Sequence, residues 1–140
     1  MDEEISDSST PWVAEHIRRF VETDGNPRPG MHDLLLTTRG RKSGKLRRTV
    51  LLYARDGDRH VVAASNAGAD RHPAWYLNLV ADPAVTVQIG ARTSPARART
   101  ATAEEKPRLW QLMIAAAPSY QDYQNATTRD IPIVIIEPIT

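Results

Sequence analysis

Residues 34–53 read Leu-Leu-Leu-Thr-Thr, then Arg-Gly-Arg-Lys-Ser-Gly-Lys-Leu-Arg-Arg, then Thr-Val-Leu-Leu-Tyr. Two apolar, β-branched-rich runs flank a short polar stretch with two glycines, the pattern of two antiparallel strands joined by a turn. Six cations and no acid occupy Arg39–Arg48, in a chain whose formal charge is only +1 and whose Lys and Arg total 18. A third of the positive charge therefore sits in one turn. Like charges at this density repel, and an anionic partner relieves them. Glycines let backbone N–H groups approach an anion, and arginine offers a forked donor that matches phosphate or carboxylate. The residues leave two readings open here, a solvated loop and an anion-binding hairpin. The nucleotide-binding P-loop is excluded, because three residues rather than four separate Gly40 from Gly44 and Leu46 follows Lys45.

Outward from this turn, the period-2 and period-3.6 signals give a short list of elements. Thr10 and Pro11 form an N-cap and first helical position ahead of Trp12, Val13, His16, Ile17 and Phe20 at helical spacing. The turn 24–30 ends that helix. Strands are expected over His32–Thr38, Arg47–Arg55 and Arg59–Ser65, with Asp56-Gly57 making a hairpin between the last two. A helix is expected over Pro73–Val80, strands over Ala84–Ile89 and Ala96–Ala103, a helix over Glu104–Ala117 and a buried strand over Ile131–Ile136. Pro118–Gln124 reads as an exposed loop with two tyrosines. About six antiparallel strands with helices between and at the ends predict a single α+β domain over 11–140, barrel-like, preceded by a flexible tail over 1–10.

Composition narrows function. With no cysteine, disulfides, thiolate metal sites and a cysteine nucleophile are excluded. The four histidines have no ligand spacing, so no metal is expected. The acidic start and the absence of a long apolar stretch predict a cytoplasmic protein. Near-neutral charge argues against a nucleic-acid partner. No nucleophile–base pair is evident, which fits an enzyme whose cofactor does the hard chemistry. Three stretches could hold such a group. Ala63-Ala64-Ser65-Asn66 leaves a strand through small residues, allowing close backbone approach or simply ending the strand. Ala74, Trp75 and Asn78 share a helix region, Trp75 and Asn78 on one face, where the indole could meet a ring or fill the core. Tyr120 and Tyr123 could cap a pocket or pack the loop.

Taken in order, Leu35–Gly44, Arg47, Tyr53–Gly57, Ala63-Ala64-Ser65, Pro73–Leu79, Pro118–Gln124 and the late Ile-Pro-Ile-Val-Ile resemble the deazaflavin-dependent nitroreductase family of actinobacteria, over about residues 12–138. The resemblance implies a split β-barrel of the FMN-binding-like type with flanking helices. It implies coenzyme F-420, an 8-hydroxy-5-deazaflavin hydride carrier with an anionic tail, and FMN is the alternative cofactor. It assigns Arg41, Lys42, Ser43 and Arg47 to the tail, and Val50, Leu52, Ala63, Ala64, Ser65, Asn66, Ala74, Trp75 and Asn78 to the ring and linker. Tyr120 and Tyr123 fall at the substrate positions, with Ser65 and Tyr123 as catalytic candidates. The activity implied is hydride transfer to a quinone, an enone or a nitroaromatic acceptor; a non-catalytic deazaflavin carrier or sensor is the alternative. The apolar face of the N-terminal helix would either cover the pocket or contact the inner face of the plasma membrane. The oligomeric state is left open.

Overall fold

The computed structural model describes residues 5–7, 10–28 and 30–139. The chain forms α1 (Pro11–Glu22), β1 (Asp33–Arg39), β2 (Leu46–Leu52), β3 (Ala54–Asp56), β4 (Arg59–Ala63), α2 (Ala74–Ala81), β5 (Ala84–Ile89), β6 (Arg92–Thr100), α3 (Lys106–Ala116), α4 (Ser119–Asn125) and β7 (Ile133–Pro138). All strand pairs are antiparallel, in the order β2-β1-β5-β6-β7-β4-β3. The two edge strands of this sheet, β2 and β3, are consecutive in the chain and separated only by Tyr53. A sheet whose opposite edges are one covalent step apart must curl on itself, so the architecture is a split β-barrel. The continuous strand expected over Arg47–Arg55 is thus divided. Tyr53 belongs to neither strand, and its N–H donates to the His32 carbonyl at 2.9 Å, one step beyond the Asp33–Leu52 pair.

Strand alternation sorts the apolar residues into separate layers. Leu34 and Leu36 of β1, Val85 and Val87 of β5, Ala96 and Ala98 of β6, and Val134 and Ile136 of β7 fill the barrel with Leu79 of α2. Ile133 and Ile135 face the other way, onto Leu109 and Met113 of α3. Leu35 faces Ile17 and Phe20 of α1. Pro107 sits within the first turn of α3, where its missing N–H costs nothing. Strand β6 starts at Arg92, earlier than expected, because it pairs with β5 through a turn at Gly90. Residues 118–124, expected as a loop, are mostly helical as α4, with Trp110 Nε1 donating to Gln121 Oε1 at 3.0 Å to join α4 to α3.

Of the acidic tail, Ile5–Asp7 and Thr10 lie among the described residues, and Pro29 of the turn after α1 lies outside them. Ile5 bridges Leu46, and Asp7 accepts from both Nε and Nη2 of Arg48, at 2.8 and 2.6 Å. Among the described residues no helix is long and apolar enough to cross a membrane.

Candidate active site

A groove of about 1030 Å³ opens between α1, β2, the end of β4 and α2. Thr49, Val50 and Leu51 form its β2 side, and Trp12, Val13 and His16 of α1 lie along another wall. Ala63, Ser65, Asn66 and Ala67 form the exit from β4, and Ala74, Trp75 and Leu77 the α2 wall. Thr10, residues 70–73, Tyr120, Arg41 and Arg129 complete it. The volume is at the upper end of small-molecule sites, enough for a tricyclic ring with a substrate beside it.

The small residues at the end of β4 have a definite geometry. Ala63, Ala64 and Ser65 are buried, with Ala64 behind the wall. Asn66 and Ala67 both take left-handed backbone conformations, with φ of 48° and 54°. Ordinary L-residues adopt these at a cost of about 1–2 kcal/mol each, so the surroundings must hold them there. Asn66 contributes by donating Nδ2–H to the Arg71 carbonyl at 3.1 Å. Trp75 packs against the barrel core and also lines the groove, so both of its sequence readings apply.

Asn78 does not present its amide to the groove of 1030 Å³; it holds the basic turn. Its Oδ1 accepts from Arg41 N at 3.2 Å and from Arg41 Nη1 at 3.1 Å, and its Nδ2 donates to Thr38 Oγ1 at 3.3 Å. Within the turn, Gly40 N donates to Lys45 O and Gly44 N to Gly40 O, both at 2.8 Å. A side chain at Gly40 would place its Cβ 2.7 Å from Ser43 Oγ, and that hydroxyl accepts from Lys45 N at 3.1 Å. Arg41, Lys42 and Ser43 are exposed at the groove's rim or beyond it. Arg48 is neutralised by Asp7, whereas among the described residues Arg41, Lys42, Lys45 and Arg47 have no carboxylate within ion-pair distance. Arg47 lies beside Asn78, Ala74 and Trp75 in an adjoining cleft.

Besides Lys42, Ser43, Arg47, Ala64 and Asn78, two more sequence candidates lie outside the lining, Leu52 and Tyr123. Leu52, at the end of β2, packs in the α3-side cluster. Tyr123 stands edge-on to Tyr120, with ring centroids 5.8 Å apart, and joins the same cluster. Tyr120 lines the groove, and burial, reinforced by Tyr123, pushes its phenol up to about 12. It is a neutral hydrogen-bond donor at neutral pH.

Sequence reading missed Trp12, His16 and Arg129 as lining residues. The first two sit on the apolar face of α1, and only the docking of that helix reveals what the face covers. Arg129 lies in an unpatterned stretch, with the buried Ile131 just after it as the only local cue.

Burial holds the His16, His60 and His72 imidazoles below their usual range, with Arg28, Arg55 and Arg129 adding to the effect in turn. Unfolded histidines titrate near about 6.5. As pH falls through that value the unfolded chain gains protons that the folded chain refuses, so stability is full above it and declines toward the lower folded values. The melting temperature is expected to fall steadily between about pH 6.5 and 5, before carboxylates contribute. A flat melting temperature across that window would contradict the burial of these rings.

A groove lined by alanines and aromatic side chains on a curled antiparallel sheet, edged by cations, is the site of a split-barrel protein suited to a flat, anionic ligand. The family described as F420H(2)-dependent quinone reductase matches residues 12–138, and the chain belongs to it. The F420H(2)-dependent quinone reductase of Mycobacterium tuberculosis is 40% identical over 106 residues, covering 74% of this chain and 71% of that protein. A solved F420-H2 dependent reductase is similar at a TM-score of 0.70 and 40% identity, covering 75% of this chain and 93% of its own. A solved domain-swapped dimer is similar at a TM-score of 0.73 and 39% identity, covering 93% and 100% of the two chains.

Proposed function

We propose that this protein carries hydride from reduced coenzyme F-420 to a quinone bound in the same groove. The observation that carries the reading is the continuity of a ring-sized groove with a basic turn in which Arg41, Lys42, Lys45 and Arg47 have no carboxylate within ion-pair distance among the described residues. The residues present fit the coenzyme. Ala63, Ala67 and Ala74 leave room at the wall, Trp75 offers an aromatic face, and Arg41 stands at the rim pinned by Asn78. Arg41, Lys42, Ser43 and Arg47 would bind the phosphate and glutamate carboxylates of the tail through charge-assisted hydrogen bonds. Val50, Ala63, Ser65, Asn66, Ala74 and Trp75 would hold the ring and linker, with Ala64 and Asn78 supporting them. When bound, the coenzyme supplies a hydride and no metal is needed.

The chain's own contribution is placement and exclusion of water. Trp12 and Val13 cover the groove from the α1 side, and Tyr120 offers its phenol O–H to an acceptor oxygen. Ser65 stands where a hydroxyl can orient the reacting atoms, and Tyr123 supports Tyr120 from behind. Nitroaromatic and enone acceptors are secondary substrates of the same groove. The protein works in the cytoplasm, and Trp12, 72% exposed on α1, supports a peripheral contact with lipid, where quinones reside.

Titration with coenzyme F-420 should quench tryptophan fluorescence, since Trp12 and Trp75 both line the groove. The reduced coenzyme should then be oxidised on addition of menadione. Binding without turnover across a range of quinones would favour the carrier or sensor, and tight FMN binding without F-420 binding would replace the cofactor.

A further inference from the structure

Arg129 is a half-buried cation that lines the groove and turns its donors onto the wall. Its Nε donates to the Ala69 carbonyl at 3.1 Å, Nη1 to the Ala64 carbonyl at 3.1 Å, and Nη2 to the Ser65 carbonyl at 2.8 Å. Nη1 also donates to His72 Nδ1 at 2.9 Å, which places the proton of that neutral imidazole on Nε2. Among the described residues no carboxylate lies within ion-pair distance of Arg129, and Asp70 lines the same groove beyond that distance. Four hydrogen bonds hold the guanidinium in place and fix the chain from Ala64 to His72 against it.

The carbonyls it contacts belong to particular peptide units. The Ala64 carbonyl shares a unit with the Ser65 N–H, and the Ser65 carbonyl shares one with the Asn66 N–H. A cation bonded to a carbonyl oxygen draws electron density through the unit and strengthens its N–H as a donor. Ser65 is right-handed, at φ −76° and ψ −33°, and Asn66 is left-handed. That succession turns consecutive N–H groups toward one side. Ser65, Asn66 and Ala67 all line the groove, so the polarised units border the space that the coenzyme ring and the acceptor would share.

We propose that Arg129 is a positioning residue of the reductase, fixing and polarising the Ser65 and Asn66 amides that receive the acceptor's carbonyl oxygen as it gains negative charge. This rests on the quinone reductase reading. In that reaction the quinone gains a hydride, two electrons with one proton, while the coenzyme is oxidised. One acceptor oxygen carries the negative charge until a proton from water completes the hydroquinone. Donors fixed in advance at that oxygen lower the barrier without reorganising.

The test compares wild type, Arg129→Lys and Arg129→Met with reduced F-420 and a series of substituted benzoquinones. The kcat of Arg129→Met should fall roughly 100-fold, the loss typical of a missing oxyanion donor, while coenzyme affinity changes only a few-fold. The fall should be largest for electron-rich quinones, steepening the dependence of kcat on acceptor reduction potential. Added methylguanidinium should restore part of the rate to an Arg129→Ala variant, whose truncated side chain leaves room for it. Arg129→Lys, which keeps the charge without the fork, should fall between wild type and the methionine variant and supplies the slope if the methionine variant does not fold. An unchanged kcat, or a loss that is equal for all quinones and unrelieved by methylguanidinium, would overturn the proposal. Wild-type protein that binds F-420 yet reduces no quinone would overturn the quinone reductase reading itself and this proposal with it, an outcome separate from any difference between variants.

Discussion

Gly25→Ala is expected to destabilise the protein by roughly 3 kcal/mol, combining about 1–2 for left-handed backbone with about 1–3 for overpacking. Helix α1 ends with Asp24 and Gly25 at φ of 52° and 86°, and Gly25 N donates to the Phe20 carbonyl at 2.8 Å. A residue in this hand lets the chain turn back over the last helical carbonyls. Gly25 also abuts the β5–β6 turn, where an added Cβ would lie 2.3 Å from the Gly90 carbonyl oxygen and 2.6 Å from its Cα. Both obstacles are backbone, so no side chain can move aside and α1 itself must shift. Because α1 carries Trp12, Val13 and His16 to the groove, the surviving folded protein should also bind coenzyme less tightly. Thermal unfolding should show a drop of roughly 10 °C for a domain of this size. Gly57→Ala provides the comparison, since φ is 64° there but nothing lies within 4 Å of its Cβ. Equal losses at the two positions would show that the contact with Gly90 has no energetic weight.

The second large effect is expected at Asn78. Substitution by leucine keeps the branched shape and removes the acceptor that holds Arg41 N and Nη1. Asn78 is 4% exposed, so no water takes its place, and the basic turn loses its link to α2. Hydrogen bonds to charged groups contribute about 1.5–3 kcal/mol, so coenzyme affinity should fall roughly 10- to 100-fold. Arg41→Ala should produce a similar loss, and the double variant should lose less than the sum, because the residues act as one unit. Fluorescence titration of the three variants measures this. Full affinity in Asn78→Leu would mean that the turn positions itself without α2.

The places where sequence reading and structure part share one cause. Strands β1, β4, β5 and β7 follow from alternation and from turn residues, which are local properties. Arg47–Arg55 has an unbroken strand composition, yet it divides at Tyr53, because β2 pairs with β1 and β3 with β4 at opposite edges of the sheet. Ser119–Asn125 has a polar, loop-like composition and is helical, with the Ala126 N–H donating to its Asp122 and Tyr123 carbonyls and with Trp110 and Gln121 joining it to α3. The candidate site shows the same division. Ser65, Asn66, Ala74, Trp75 and Tyr120 could be named because small, amide and aromatic residues cluster at recognisable spacings, and the structure gathers them in one groove. Leu52 and Tyr123 have the same chemistry but fall behind the wall, since which face of an element borders a cavity depends on what packs against it.

The linear order of residues determined by itself that two apolar strands are joined by a cationic, glycine-containing turn, because neighbouring residues suffice to define alternation, turn chemistry and charge density. Only the tertiary structure decided which distant groups meet. Arg129 reaches carbonyls more than 60 positions earlier, Asn78 holds a turn 37 residues away, and α1 is seated by a glycine against another turn. Contacts of that range depend on how the sheet curls, and no local periodicity records them.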